Sequence, residues 1–434
     1  MSCLSAQTTR TRWLAGGVAA LAALLAPMMT HTTASPQPST PSAPRTTRAD
    51  ATIAGFAARA GAGEPLSVVF FGGSLTWGAN ASDPNTTSYR GRMMRWLREK
   101  YPRSSFTFHD AAIGGTGSAL GLFRLDRDVL AHKPDLVFLD FTVNDGIADA
   151  DDFNLASYER IVRDLRVAGA VVMPVFTCMQ AQMISSSSAQ PARMAAHQKL
   201  ADAYGLATAD IMAHARAAIA SGRVDPSKMY PIGKDRTHPD DSGYEIFFEA
   251  VCDAFLRAAA RPRAAVPVAI PAAPIYPDLY PNRTRNVLVN HPLPRGWNRV
   301  HTYRNAMWYD NLSSRWMGDV ACAASADAAP LEIKFRGSFV GMIGERSPLT
   351  PPFRVWIDGA PVPQHNSKSA DPFLWNINTM VFDSALNRAG CLFAWTMITK
   401  KLSDGEHTLR IVPDFTNVAE GAELRIESIC SAGR

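Results

Sequence analysis

The chain has 434 residues, 47% of them hydrophobic and 19% charged, with 30 prolines and 29 glycines. That is length for two ordinary domains with separate cores, and it excludes a disordered chain, a coiled coil and a collagen-like fibre. The formal charge of +5 is scattered among acids with no run of five basic residues, which argues against nucleic acid as a partner.

Residues 1–34 read as a signal peptide. Arg10 and Arg12 precede an apolar stretch from Trp13 to about Met29, and Thr32-Thr33-Ala34 offers a small-residue cleavage site. The stretch carries two adjacent glycines and stops near Pro27, short of the roughly 20 residues a bilayer span needs. The expectation is therefore cleavage, no membrane span afterwards, and a secreted or periplasmic product. Cys3 would leave with the signal, and Cys178, Cys252, Cys322, Cys391 and Cys430 would remain. Without a C-x-x-C they do not suggest a zinc or redox site, and one disulfide among the last three is compatible with export.

Residues 35–50 form a Pro/Ser/Thr linker with nothing to bury. From 51 to 260, apolar strand-like runs alternate with helical patterns. The spacing predicts strands over Leu66–Phe71, Ser105–Asp110, Leu136–Phe141, Ala170–Phe176 and Ala207–Ala209. Helices are predicted over Tyr89–Lys100, Ala119–Leu130, Leu155–Val167, Ala192–Tyr204, Ile211–Ala220 and Gly243–Leu256. Continuous apolar strands between helices mean an α/β fold with a parallel sheet covered on both faces, with reactive groups at the strands' carboxyl ends. A Pro-rich linker, 261–285, follows. Residues 286–432 then show short runs separated by turns: Leu331–Phe335, Phe339–Ile343, Phe353–Ile357, Met380–Phe382, His407–Val412 and Glu423–Ser428. With Asp358-Gly359 and Asp404-Gly405 as turn signals, this texture predicts an antiparallel β-sandwich.

The chemistry gathers at the strand ends of the first part. Gly72-Gly73-Ser74 follows the first strand, and a serine there becomes a nucleophile only if a base takes its proton. No Walker or Rossmann glycine spacing accompanies it. The second strand leads into Gly114-Gly115-Thr116-Gly117, where a backbone N–H can face a developing oxyanion. The third delivers Asn144-Asp145-Gly146, with the Asn amide as a further donor or as a plain turn cap. Near the end comes Asp235-Arg236-Thr237-His238, in which the carboxylate can hold the imidazole and leave its other nitrogen as base.

Taken in order, these four blocks resemble the SGNH, or GDSL-like, esterase and lipase superfamily over roughly residues 64–256. The resemblance implies a flavodoxin-like three-layer fold, with Ser74 as nucleophile and Asp235 and His238 completing the triad. Ser74 N–H, Gly115 N–H and the Asn144 side chain would form the oxyanion hole. Gly73 stands where the family name puts Asp, and Thr142 replaces the usual Gly two residues before the Asn.

Six of the nine tryptophans lie at or beyond position 297. Most suit a sandwich core; Trp308 and Trp316, in a stretch without strand pattern, are the candidates for stacking on sugar. The second part loosely resembles jelly-roll accessory domains beside secreted carbohydrate esterases, and the Pro-rich stretch suggests a module separate from the catalytic unit. The reading is an exported serine esterase that removes small acyl groups, acetyl above all, from poly- or oligosaccharides. It needs no metal or organic cofactor. Its rivals are a lipase or broad acyl-ester hydrolase, an acyltransferase to a sugar hydroxyl, and a non-catalytic carbohydrate-binding protein.

Overall fold

The computed structural model describes residues 51–230, 235–262, 269–303, 314–365, 367, 369–377 and 392–434. The signal and linker segments, Cys3, Cys391, Trp308 and the expected strand Met380–Phe382 lie outside these residues.

Five parallel strands build the first sheet: β1 (Leu66–Gly72), β2 (Phe106–Asp110), β3 (Leu136–Asp140), β4 (Val171–Phe176) and β5 (Ala209–Asp210), in the order β2-β1-β3-β4-β5. The apolar runs are continuous because both faces are covered, yet each strand still alternates. Leu66, Val68 and Phe70 point into one core with Leu136 and Phe138, while Val69 and Phe71 point into the other with Val137 and Leu139. The first core is closed by α1 (Ile53–Ala62), α3 (Tyr89–Lys100), α8 (Ile211–Ala220) and α9 (Asp241–Ala259). The second is closed by α4 (Ser118–Asp128), α5 (Asp152–Val167) and α7 (Ala192–Ala203). Short α2 (Ser74–Trp77) and α6 (Gln180–Ile184) follow β1 and β4. Helices α3 and α8 occupy their predicted ranges, whereas α1 was not anticipated. Its sequence IAGFAARAGA has little pattern, but Thr52 caps its first turn and Gly63, at φ +88°, ends it. Strand order reverses direction at β1, so a crevice opens beyond the ends of β1 and its neighbours.

The second part is an antiparallel sandwich. One sheet runs β14 (Leu392–Thr399), β10 (Phe339–Arg346), β16 (Leu424–Ala432), β8 (Asp319–Ala323), β7 (Trp297–His301), with β6 (Thr284–Val287) also on β16. The other runs β12 (Ala360–Pro361), β11 (Phe353–Ile357), β15 (Glu406–Pro413), β9 (Leu331–Arg336), with β13 (Leu374–Trp375) on β11. Asp358 and Gly359 both take positive φ, 52° and 82°, in the predicted β11–β12 turn. Val340, Met342, Ile426 and Ile429 face the sandwich core with Val355 and Ile411 of the opposite sheet.

The other face of the first sandwich sheet is also dry. Phe339, Ile343, Phe393, Cys430 and Ala432 share a core with α4 and α5 of the parallel layer. Phe123 of α4 stacks on Phe339 at 5.6 Å and meets Trp395 at 5.5 Å. This explains why all nine residues of β16 are buried, unusual for an antiparallel strand. The Pro-rich stretch is docked rather than a spacer over residues 270–281. Buried Glu159 accepts the amides of Ile275 and Tyr276, both at 2.8 Å, and Arg163 donates to Pro271 O at 2.9 Å. The sandwich is thus not the separate module the sequence suggested. Cys178, Cys252, Cys322 and Cys430 are free thiols, each buried. Among the described residues, no helix is long and apolar enough to cross a membrane.

Candidate active site

Ser74 is the first residue of α2, directly beyond β1. Its Oγ lies 2.7 Å from His238 Nε2, and His238 Nδ1 lies 2.7 Å from Asp235 Oδ2. With the ring proton on Nδ1, donated to Asp235, Nε2 is left to accept from the serine.

The Asp-x-x-His spacing works through one carboxylate doing two things. Asp235 Oδ1 accepts the backbone N–H of Thr237 at 2.8 Å and of His238 at 3.1 Å, closing the loop on itself, while Oδ2 orients the imidazole. Burial pushes the Asp235 pKa up, but these bonds from His238 and Thr237 outweigh it and hold the carboxyl below its usual range. Asp235 therefore stays ionised beside the histidine. Asn80, at φ 70°, adds a clamp: its Nδ2 donates to Asp235 Oδ2 at 3.1 Å and to His238 O at 3.2 Å.

The two expected oxyanion loops flank the serine. Gly115, exposed and at φ +69°, turns the β2–α4 loop. Asn144 follows β3, and a Cβ added to Gly73 would come within 2.0 Å of its Oδ1. The Asn144 amide therefore packs against the backbone of Gly73, where the family's usual Asp would stand. A side chain at position 73 would displace it.

Two buried arginines hold these loops, and sequence reasoning missed both. Arg124, fully buried in α4, donates to Ala111 O at 2.6 Å, Gly72 O at 3.2 Å and Asp128 at 3.2 Å. It ties the end of β1 to the Gly115 loop. Burial lowers its pKa to about 10, partly offset by Asp128. Arg193, also fully buried, donates to Asp145 O at 2.8 Å and Asp151 Oδ2 at 2.6 Å, and so holds the Asn144 loop from behind. Neither arginine has a sequence signal of its own, since long-range backbone partners leave no local spacing.

Asp140 and Asp145 are buried carboxyls beneath the site. Burial pushes them up to about 6 and about 7, against hydrogen bonds from Thr177 and Ser118 respectively. Asp145 Oδ2 has no hydrogen-bond partner among the described residues. A folded pKa above the unfolded one means the folded state keeps a proton the unfolded chain has lost, so stability falls as pH rises from about 4 through about 7. Asp145→Asn removes that slope. Its Tm relative to the parent is expected to rise steadily from pH 5 to pH 8, and parallel Tm–pH curves would contradict this origin.

Trp316 is not the open sugar platform expected from sequence. The Arg127 guanidinium covers its ring at 5.1 Å and Phe393 meets it edge-on at 5.9 Å, so it belongs to the seam between the two parts. A different tryptophan, Trp395, lines a cavity of about 690 Å³ whose wall also includes Gly115 of the β2–α4 loop. The sandwich thus builds most of a cavity that borders the Gly115 loop.

Residues 70–246 match the model of the GDSL-like lipase/acylhydrolase family. Across both parts, the fold is similar to that of a two-domain esterase active on acetylated mannans, co-crystallised with mannopentaose. The match has TM-score 0.67 and 19% identity, and covers 87% of this chain and 94% of that one. An acetyl xylan esterase, AlAXEase, matches 44% of this chain and 99% of its own at 23% identity and TM-score 0.37. The acetylxylan esterase Axe2 from Geobacillus stearothermophilus matches 46% and 97% at 19% identity and TM-score 0.37. No curated protein sequence matches the chain.

Proposed function

We propose that this chain, whose residues 70–246 match the GDSL-like lipase/acylhydrolase family, is a carboxylic-ester hydrolase whose substrate is an acetylated poly- or oligosaccharide. The observation that carries this reading is the Ser74–His238–Asp235 chain at 2.7 Å per link, set between Gly115 and Asn144 at the strand ends. The N-terminal segment supports export, and the likeness of the whole two-part fold to that of an esterase active on acetylated mannans supports a glycan substrate.

In this mechanism Ser74 Oγ attacks the ester carbonyl as His238 Nε2 takes its proton. Negative charge forms on the carbonyl oxygen, within reach of Ser74 N–H, Gly115 N–H and the Asn144 amide. His238 returns the proton to the departing sugar hydroxyl and leaves an acetyl ester on Ser74. Water, activated by the same imidazole, then releases acetate. Asp235 holds the ring tautomer and its positive charge throughout.

Acetate release from acetylated polysaccharides, measured beside a 4-nitrophenyl ester series, tests the reading. We expect acetyl to be the best acyl group, with rates falling as the chain lengthens. A rate that rises with chain length, without acetate release from polymers, would make the protein a lipase. For Asn144→Ala, kcat should fall roughly 10²–10³-fold with KM little changed, the signature of one lost oxyanion donor. A change confined to KM would make Asn144 a ground-state contact instead. Gly73→Ala should produce part of the same loss, and little more in the Asn144→Ala background, since both changes act through one amide.

A further inference from the structure

The cavity that joins the sandwich to the Gly115 loop has an unusual charge balance. Arg346, the last residue of β10, lines it together with His365, Asn376 and Trp395, and no Asp or Glu does so among the described residues. Three of the well-buried arginines meet anions, Arg124 with Asp128, Arg193 with Asp151 and Arg425 with Glu345 at 2.7 Å, and Arg166 donates to Ala51 O at 2.6 Å. Among the described residues Arg346 makes no ion pair, and its Nε is buried without a hydrogen-bond partner. Desolvation lowers its pKa with no neighbouring carboxylate to offset it. A guanidinium taken partly out of water and left unpaired is expensive to keep, and the planar fork it presents matches a carboxylate.

We propose that this cavity binds a carboxylate on the glycan itself, so that the preferred substrate is an acetylated polysaccharide containing uronic acid. The inference rests on the carbohydrate-esterase reading above. It extends that reading by placing the uronate at Arg346 while the ester of a neighbouring position meets Ser74. Trp395 offers an apolar ring to the sugar face beside that contact. The carboxylate cannot come from the ester being cleaved, because that group is neutral until it is released.

The test compares an acetylated uronic-acid polysaccharide with its carboxyl-reduced form at equal acetyl content, following acetate release. The wild-type enzyme should lose roughly tenfold to hundredfold in kcat/KM on the reduced polymer, the size of one charge-assisted hydrogen bond. Arg346→Gln should bring the two polymers to equal kcat/KM, and Arg346→Lys should restore part of the difference. If the wild-type enzyme deacetylates both forms equally well, the uronate inference is overturned and the carbohydrate reading stands. If it cleaves 4-nitrophenyl acetate but neither polymer, the carbohydrate reading falls first. Competition by free acetate that disappears in Arg346→Gln, without any effect of carboxyl reduction, would assign the cavity to the product and also overturn the inference. The comparison of polymers on the wild-type enzyme decides the matter even if the variants fold poorly.

Discussion

Ser74→Ala is expected to cut kcat by about 10⁴-fold or more on any ester, while leaving the melting temperature close to that of the parent. The argument is one of atoms. The substitution removes a single oxygen at the start of α2, in a residue that is 7% exposed and whose Oγ partner is His238 Nε2. The backbone N–H stays, as do the Gly115 loop and Asn144, so the oxyanion site survives without a nucleophile. Residual rate should then be low and insensitive to a further change at His238, because the imidazole has nothing left to deprotonate. Hydrolysis near the parent rate, checked with 4-nitrophenyl acetate on protein free of parental carry-over, would remove Ser74 from the mechanism.

Ending the chain at Arg261 should have an equally large effect, on folding rather than chemistry. Sequence suggests that such a truncation would keep small-ester activity, because all expected catalytic residues precede position 240. The structure argues the opposite. Removing the residues beyond Arg261 strips Phe339, Trp395 and Tyr280 from Phe123, and takes from Glu159 the amides of Ile275 and Tyr276 while leaving it the Tyr204 hydroxyl. Each large apolar side chain returned to water costs roughly 1.5–3 kcal/mol, and the hydrogen bonds lost from Glu159 add to this. Several such losses rival the whole stability of a domain, typically about 5–15 kcal/mol. The expected result is an insoluble or non-cooperatively melting protein without esterase activity. A soluble fragment with a sharp melt and the parental rate on 4-nitrophenyl acetate would show the α/β layer to be self-sufficient.

The parallel sheet was legible because its signals are local. A continuous apolar run such as Leu136–Asp140 can satisfy its backbone only in a covered sheet, and the residues at its end are then placed by topology. The Asp235–His238 contact was legible for the same reason, since three residues of separation on one loop suffice to bring the groups together. What stayed hidden is long-range. Asn80 reaches Asp235 across 155 positions, and Arg124 reaches Gly72 across 52. The strands β7 and β8 were missed because Trp297–His301 is mostly exposed and Asp319–Ala323 is built from small residues. Trp316 and Trp395 carry the same side chain, and only the packing of the two parts decides which lines the cavity beside Gly115.

The sheet that is dry on both sides also bears on how such enzymes can diversify. A sandwich with one wetted face can be exchanged between chains by recombination, since its surroundings make few demands on its sequence. Here every residue of β16 answers to a neighbour, with Ile426 and Ile429 facing one core and Cys430 and Ala432 the other. A transplanted sandwich would have to bring a matching α4–α5 surface with it. Drift in the two halves is therefore coupled, and changes at Phe123 should be accompanied in relatives by compensating changes at Phe339 or Trp395.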